Sequence, residues 1–299
     1  MKTYDVVIVG SGPAGLTAAL YAARYNMKVL VIGKVPGGTI GEASKVCNFP
    51  TYETATGMEL VKKMIDQIKN MDVEIKMEEV LNIDKKAKEF LVVTNKAKYS
   101  AKKIILATGT QRRKLNLPNE DKLIGYGVSY CATCDARLYK DKTVAVVGGS
   151  DAALTAALLL SEFAKKVLIV YRKDKFFRGE QAWISEIKKK KNILPIFNSR
   201  VVKLLGEKKL TGVELNDGKK LELDGLFVEI GSVPLDELAK GLKLKFQGVF
   251  ISVDKKQKTN IDGVYAAGDI TNNPLKQMVT ACAEGAIAAN SVFREISSQ

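Results

Sequence analysis

The chain opens on a mostly apolar run, Tyr4 to Gly10 (YDVVIVG), broken only by Asp5, which stops at once in Ser-Gly-Pro. A short continuous apolar run closed by turn residues predicts a strand buried on both faces. Residues 16–26 (LTAALYAARYN) then carry helical spacing, and 28–33 (KVLVIG) read as a second strand. Together they make a βαβ unit of about 30 residues. A glycine-rich loop fills 33–52, and loops of that length are functional or disordered. The pattern then predicts an amphipathic helix over 56–70, short strands and turns over 73–100, and a buried strand over 102–110.

After Leu117-Pro-Asn-Glu-Asp-Lys122 the pattern restarts. Residues 142–173 again read as strand, glycine turn, helix, strand, a near-repeat of the opening. Strands follow through 198–231, GSVPLD (231–236) has the composition of a hinge, GVYAAGD (263–269) is a late strand, and a small-residue helix runs from about 277 to 295.

Each βαβ unit carries a candidate phosphate turn. In the first, Gly10-Ser11-Gly12-Pro13-Ala14-Gly15 lies between strand and helix. Gly10 permits the tight turn, Gly12 lets backbone amides approach a pyrophosphate, and Gly15 lets helix pack on strand. The acid expected at the end of the next strand is missing, since Ile32-Gly33-Lys34 stand there. The second turn is Gly148-Gly149-Ser150-Asp151-Ala152-Ala153, with Ser150 where the middle glycine of the motif belongs. Serine can still offer its N–H and hydroxyl. Arg172 and Lys173 end the next strand, with Arg178 beyond. Cations in place of an acid suit a 2′-phosphate, hence NADPH over NADH, with NADH left open.

Composition narrows the chemistry. The 299 residues suffice for two domains and are 46% hydrophobic and 27% charged, as in a soluble globular protein. No signal peptide and no membrane-length apolar run is evident, so a cytoplasmic location is expected. The net charge is +14, but the lysines come as scattered pairs without interleaved aromatics. That argues against nucleic acid and for solvated faces that could steer an acidic protein partner. There is no histidine, which removes imidazole acid–base catalysis, Ser-His and Cys-His pairs, and His-bound zinc.

Two of the four cysteines form Cys131-Ala-Thr-Cys134, followed by Asp135. A haem anchor would need histidine at 135. Tetrahedral zinc would need two more ligands, and the other thiols, Cys47 and Cys282, stand isolated and read as small hydrophobes. A redox dithiol is preferred, with inert thiols and zinc behind it.

Taken together, VVIVGSGPAGLTAALYAAR, PGGTI, NFP, ATGT, CATCDA, VAVVGG, FVEIG and GVYAAGD resemble the low-molecular-weight, prokaryotic-type thioredoxin reductases among the pyridine nucleotide-disulfide oxidoreductases. The likeness covers nearly the whole chain. It implies an α/β fold of two Rossmann-like three-layer domains. A discontinuous FAD-binding domain at 1–115 and 235–299 would enclose an inserted NAD(P)H-binding domain at 116–234 that carries the CxxC pair. FAD contacts are implied at Gly10, Ser11, Gly12, Pro13, Ala14, Gly15, Gly33, Gly37, Gly38, Thr39, Ile40, Asn48, Gly109, Gly268, Asp269, Lys276 and Gln277. NADPH contacts are implied at Gly148, Gly149, Ser150, Ala153, Arg172, Lys173 and Arg178. Lys276 departs from the family's arginine and loses its bidentate fork. Cys282, Ala283 and Ala136 are further departures. The resemblance implies that electrons pass from NADPH through FAD to a Cys131–Cys134 disulfide. Cys134 would face the flavin, Cys131 would attack the disulfide of a thioredoxin or glutaredoxin-like partner, and Asp135 would be the general acid. It implies a homodimer, and rotation of one domain on the other with hinges near 113–118 and 231–236. The alternatives are a related FAD dithiol oxidase, a reductase fed by another donor, or a non-enzymatic redox sensor.

Overall fold

A computed structural model describes residues 2–298 except Ser44, Lys45, Cys47, Asp72, Lys88 and Arg178. The Arg178 and Cys47 expectations therefore lie outside the described residues. The chain divides into two units, Met1–Gln111 with Val233–Gln299, and Arg112–Ser232.

The first unit begins with β1 (Thr3–Val9), α1 (Pro13–Arg24), β2 (Val29–Ile32), α2 (Gly57–Lys69), β3 (Glu74–Lys76), β4 (Val80–Lys86), β5 (Glu89–Thr94) and β6 (Lys98–Leu106). Its sheet runs β3-β2-β1-β6-β5-β4. β1 lies parallel to both β2 and β6, which is why its side chains are apolar on both faces. Val6 and Ile8 enter one core with Leu16, Ala18 and Ala22 of α1, while Val7 and Val9 enter the other with Ile83 and Phe90. The strand expected over 102–110 in fact occupies Lys98–Leu106. Its last residues already pair in parallel, and Ala107–Gly109 turn out of the sheet with Gly109 at φ +67°. The 33–52 loop contains a 3-10 turn at Gly38–Glu42.

The chain leaves through β7 (Thr110–Arg112) and builds the second unit from α3 (Glu120–Leu123), β8 (Val128–Ser129), α4 (Ala132–Asp135), β9 (Thr143–Val147), α5 (Asp151–Ser161), β10 (Lys166–Val170), α6 (Gln181–Lys189), β11 (Ile193–Ile196), β12 (Val201–Leu205), β13 (Gly212–Leu215), β14 (Lys220–Glu222) and β15 (Gly225–Val228). A parallel sheet, β11-β10-β9-β15-β8, carries α5 and α6 on one face. The antiparallel β12-β13-β14 sheet covers the other through Leu204, Leu210 and Val213. The helices α3 and α4 are four residues each, too short to show a 3.6-residue period, and the sequence pattern passed over them.

The return passes through β16 (Ser232–Pro234), so the GSVPLD segment is partly strand. The first unit is then completed by α7 (Glu237–Gly241), β17 (Phe246–Gln247), β18 (Phe250–Ile251), β19 (Val264–Ala266) and α8 (Met278–Ser297). β19 joins β6 in parallel. α8 crosses α1 closely: a Cβ on Gly285 would stand 2.1 Å from the Ala14 carbonyl oxygen. Among the described residues no helix is long and apolar enough to cross a membrane.

Candidate active site

The first glycine turn is built by steric necessity at two positions and left open at a third. A Cβ on Gly10, at φ +115°, would stand 2.1 Å from Ala107 O, and one on Gly15 would stand 1.9 Å from Gly10 O. These glycines pack strand, turn and helix together. Gly12 differs: a Cβ there would meet only Gly37 O, at 3.7 Å. Gly12 is also the N-cap of α1, Pro13 opens the helix, and no side chain caps it. The amides of the first turn thus have room beside them, the geometry that holds an anion. The Ser11 hydroxyl donates to Val35 O at 3.0 Å and Gly37 N–H to Ser11 O at 2.7 Å, which draws the Gly37–Ile40 segment beside the turn. Gly33 closes the side of the turn, because a Cβ there would stand 2.3 Å from Ser11 Oγ. Around Gly109 nothing lies within 4 Å of a Cβ position.

Late segments of the chain join this turn within the same unit. Gly268, at φ +82°, comes close to Ala14, so that an added Cβ would stand 2.9 Å from the Ala14 Cβ. Asp269 follows it with no hydrogen bond to any described residue, and burial raises its pKa although Lys276 opposes this. Behind it, Glu284 Oε2 accepts the Gly268 N–H at 2.7 Å and the Thr271 hydroxyl at 3.1 Å. Burial raises Glu284 as well. Lys276 donates to Thr271 O and lies 4.3 Å from the Phe250 ring centre, and burial lowers its pKa. Asn48 Nδ2 donates to Gln277 Oε1 at 3.1 Å, bringing together residues 229 apart at the start of α8. A glycine turn with room at Gly12, uncapped helix amides and a half-buried carboxylate with no hydrogen bond among the described residues fit a dinucleotide whose phosphates and hydroxyls those groups would bind. The free Cys282 is half-buried, its pKa raised by burial, and it lines an apolar hollow of about 280 Å³ with Leu16, Leu20, Met64 and Met278.

In the second unit Gly148 and Gly149 are also required by packing. Their Cβ atoms would stand 2.1 Å from Glu229 O and 2.5 Å from the Tyr171 ring. Ser150 is the N-cap of α5, and its hydroxyl makes no cap bond. Asp151, the acid of that first turn, is occupied: its Oδ1 accepts the Glu180 N–H at 2.6 Å. Ala153 is fully buried beneath the turn. Arg172 and Lys173 follow β10 as exposed side chains with no acidic partner among the described residues. This turn also fits a nucleotide, one bearing an extra phosphate.

The dithiol lies at the start of α4. Cys131 is the N-cap and forms a disulfide with Cys134, with Cα atoms 5.3 Å apart. The Cys134 N–H points at Cys131 Sγ, at 3.2 Å. Cys134 is exposed, and Cys131 is half-buried. Ser129, 3% exposed, donates to Asp135 Oδ2 at 2.7 Å and accepts the Cys131 N–H at 3.1 Å. On the other side, Glu120 accepts the Tyr130 hydroxyl and the Leu115 and Leu117 N–H groups. Burial, reinforced by Glu120, raises Tyr130. Arg112 meets the buried Glu229 at 2.7 Å.

Sequence reading missed Ser129, Glu120, Glu229 and Glu284. Only Glu284 left a trace, as the acid among the small residues that open the last helix.

Known proteins agree with this geometry. The pyridine nucleotide-disulphide oxidoreductase family matches residues 4–285. A thioredoxin reductase of Peptoclostridium acidaminophilum is 40% identical, over 96% of this chain and 95% of that protein. The solved thioredoxin reductase of Lactococcus lactis (FR conformation) is 34% identical, with a TM-score of 0.95 over 99% of this chain and 100% of that one. The T. acidophilum thioredoxin reductase structure is 37% identical, with a TM-score of 0.93 over 99% and 100%. Full-length similarity at this level, on top of two glycine turns and a CxxC disulfide, establishes that the chain belongs to the pyridine nucleotide-disulphide oxidoreductase family.

Proposed function

We propose that the protein is a thioredoxin reductase, which spends NADPH through FAD to reduce the disulfide of a thioredoxin or glutaredoxin-like protein. The observation that carries this is the Cys131–Cys134 disulfide, with an exposed Cys134 and an aspartate held directly behind it. The FAD-binding domain is assigned to 1–115 with 235–299, and the NADPH-binding domain to 116–234.

Gly12, the first amides of α1, Asp269, Asn48 and Gln277 would hold FAD, the amides suiting its phosphates and Asp269 a hydroxyl. Ser150, the α5 amides, Arg172 and Lys173 would hold NADPH. The chemistry supplied by bound FAD is transfer of an electron pair from NADPH to the Cys131–Cys134 disulfide.

In the reduced dithiol Cys131 attacks the partner's disulfide as thiolate. A mixed disulfide forms, the partner's leaving sulfur takes a proton, and Cys134 then displaces the second partner sulfur as Cys131–Cys134 closes again. Asp135 donates the proton, since the chain has no histidine to do so. The CxxC spacing keeps the resolving thiol within reach of the mixed disulfide.

The reducing cytoplasm suits a dithiol that must be reopened in every cycle. We propose that a second copy of the chain covers the apolar hollow beside Cys282, where Leu20 and Met64 are only half-buried.

Steady-state assays with oxidised thioredoxin and NADPH test the function. The purified protein is expected to be yellow and active, and Cys131→Ser and Cys134→Ser each to lose turnover. A flavin that stays oxidised under millimolar NADPH would assign the electrons to another donor.

A further inference from the structure

Ser129 is buried on β8, two residues before the dithiol, where its backbone sits in parallel register with Phe227. A serine hydroxyl has one proton to give and two lone pairs. Here the proton goes to Asp135 Oδ2 at 2.7 Å, and a lone pair receives the Cys131 N–H at 3.1 Å. A second acceptor, the Cys131 carbonyl oxygen, lies 3.4 Å from the same hydroxyl. The Asp135 N–H also returns to that carbonyl, at 3.2 Å. One hydroxyl therefore touches the acid, and both backbone groups of the attacking cysteine.

From this arrangement we infer that Ser129 is the positioning residue of the proton donor: its hydroxyl turns between Asp135 and the Cys131 carbonyl as Asp135 gains and loses its proton. With Asp135 ionised, Ser129 donates to it. With Asp135 protonated, the carboxylic acid donates to Ser129 Oγ and the serine proton turns to the Cys131 carbonyl. Asp135 stays hydrogen-bonded in both states, so proton delivery leaves no buried group unpaired. In each delivery one proton leaves Asp135 for a thiolate, and no electrons move. The inference rests on the reading of Asp135 as general acid.

Among the described residues, these charged and titratable groups belong to the elements around Asp135. Tyr139, on the turn that follows α4, is raised by burial first and by the charges of Asp135 and Asp224 after it. Lys142 lies 5.6 Å from the Tyr139 ring centre. Asp151 opens α5, which packs against α4, and is tied to the Glu180 N–H. Arg137 and Lys140 are exposed. Ser129 is the neutral donor among them. A hydrogen bond to the charged form lowers a carboxyl pKa, and losing the bond raises it.

The experiment is the pH profile of kcat for oxidised thioredoxin, with the flavin-loaded enzyme and saturating NADPH. A general acid loses activity as pH rises through its pKa. In Ser129→Ala that limb is expected to move up by about one pH unit, a tenfold change in protonation ratio. Ser129→Thr, which keeps the hydroxyl, should return it. Ser129→Gly removes the same hydroxyl and serves if the alanine variant does not fold. Asp135→Asn should remove the limb. If Asp135→Asn removes it and Ser129→Ala leaves it in place, with only Tm or KM altered, Ser129 is structural and the inference fails alone. If Asp135→Asn keeps the limb, the general-acid reading fails and the role of Ser129 goes with it.

Discussion

From the second turn of α8, Glu284 holds the Gly268 N–H at 2.7 Å, so a buried carboxylate sets the turn that presents Asp269. Glu284→Ala leaves that buried amide without its acceptor, at a cost of about 1–3 kcal/mol, while the Thr271 hydroxyl keeps Gly268 O at 2.9 Å. A lower Tm and at least tenfold weaker FAD binding are expected, read by calorimetry and flavin fluorescence titration. Glu284→Gln keeps an acceptor and should fall between parent and alanine variant.

Asp269 trades stability for binding. Burial raises its folded-state pKa above the unfolded value. Its contribution to stability is therefore fully present below the unfolded pKa, about 3.9, and is lost as pH rises through the folded one. At neutral pH the flavin-free protein carries a half-buried charge that accepts no hydrogen bond from a described residue. Asp269→Asn should raise the Tm of the apoprotein at pH 7, converge with the parent near pH 3, and weaken FAD binding. Equal apoprotein Tm values at both pH values would contradict this.

Two glycines of one turn should fail differently. Gly12 has φ −78° and only an ordinary contact, Gly37 O at 3.7 Å, at its Cβ position, so Gly12→Ala should fold with near-parental far-UV dichroism and lose flavin. Gly15→Ala drives a Cβ into the Gly10 carbonyl and should reduce soluble yield before binding can be measured.

Glu295 ties α8 to the sheet. Lys103, Lys258 and the Tyr265 hydroxyl all donate to it, and they hold its carboxyl at about 2 against the opposing effect of burial. A depressed carboxyl contributes stability above its unfolded pKa, and loses it as pH falls through the folded one. Lys103 is 5% exposed, so Glu295→Gln strands a buried ammonium at a cost of about 3 kcal/mol. Urea unfolding should show that gap at pH 7 and a much smaller one near pH 2.

Arg172→Ala with Lys173→Ala removes two unpaired cations beyond β10. KM for NADPH is expected to rise at least tenfold while KM for NADH changes little, because only NADPH carries the 2′-phosphate. A parallel rise for both nucleotides would move 2′-phosphate recognition elsewhere.

What a local stretch can dictate, the sequence determined: both βαβ units, the turns at Gly10 and Gly148, and the redox reading of Cys131 and Cys134. Buried parallel strands, glycine turns and CxxC spacing are all written within about 30 residues, where periodicity and sterics act directly. The short helices α3 and α4 escaped because four residues carry no period. Only the tertiary structure could decide that Asn48 meets Gln277 across 229 residues, that Glu284 holds the backbone before Asp269, and that Ser129 rather than a distant base stands behind Asp135. The first two are long-range hydrogen bonds made by chain closure, which has no local signature. The last depends on how a two-residue strand turns into a four-residue helix, placing a hydroxyl and a carboxylate six residues apart at 2.7 Å.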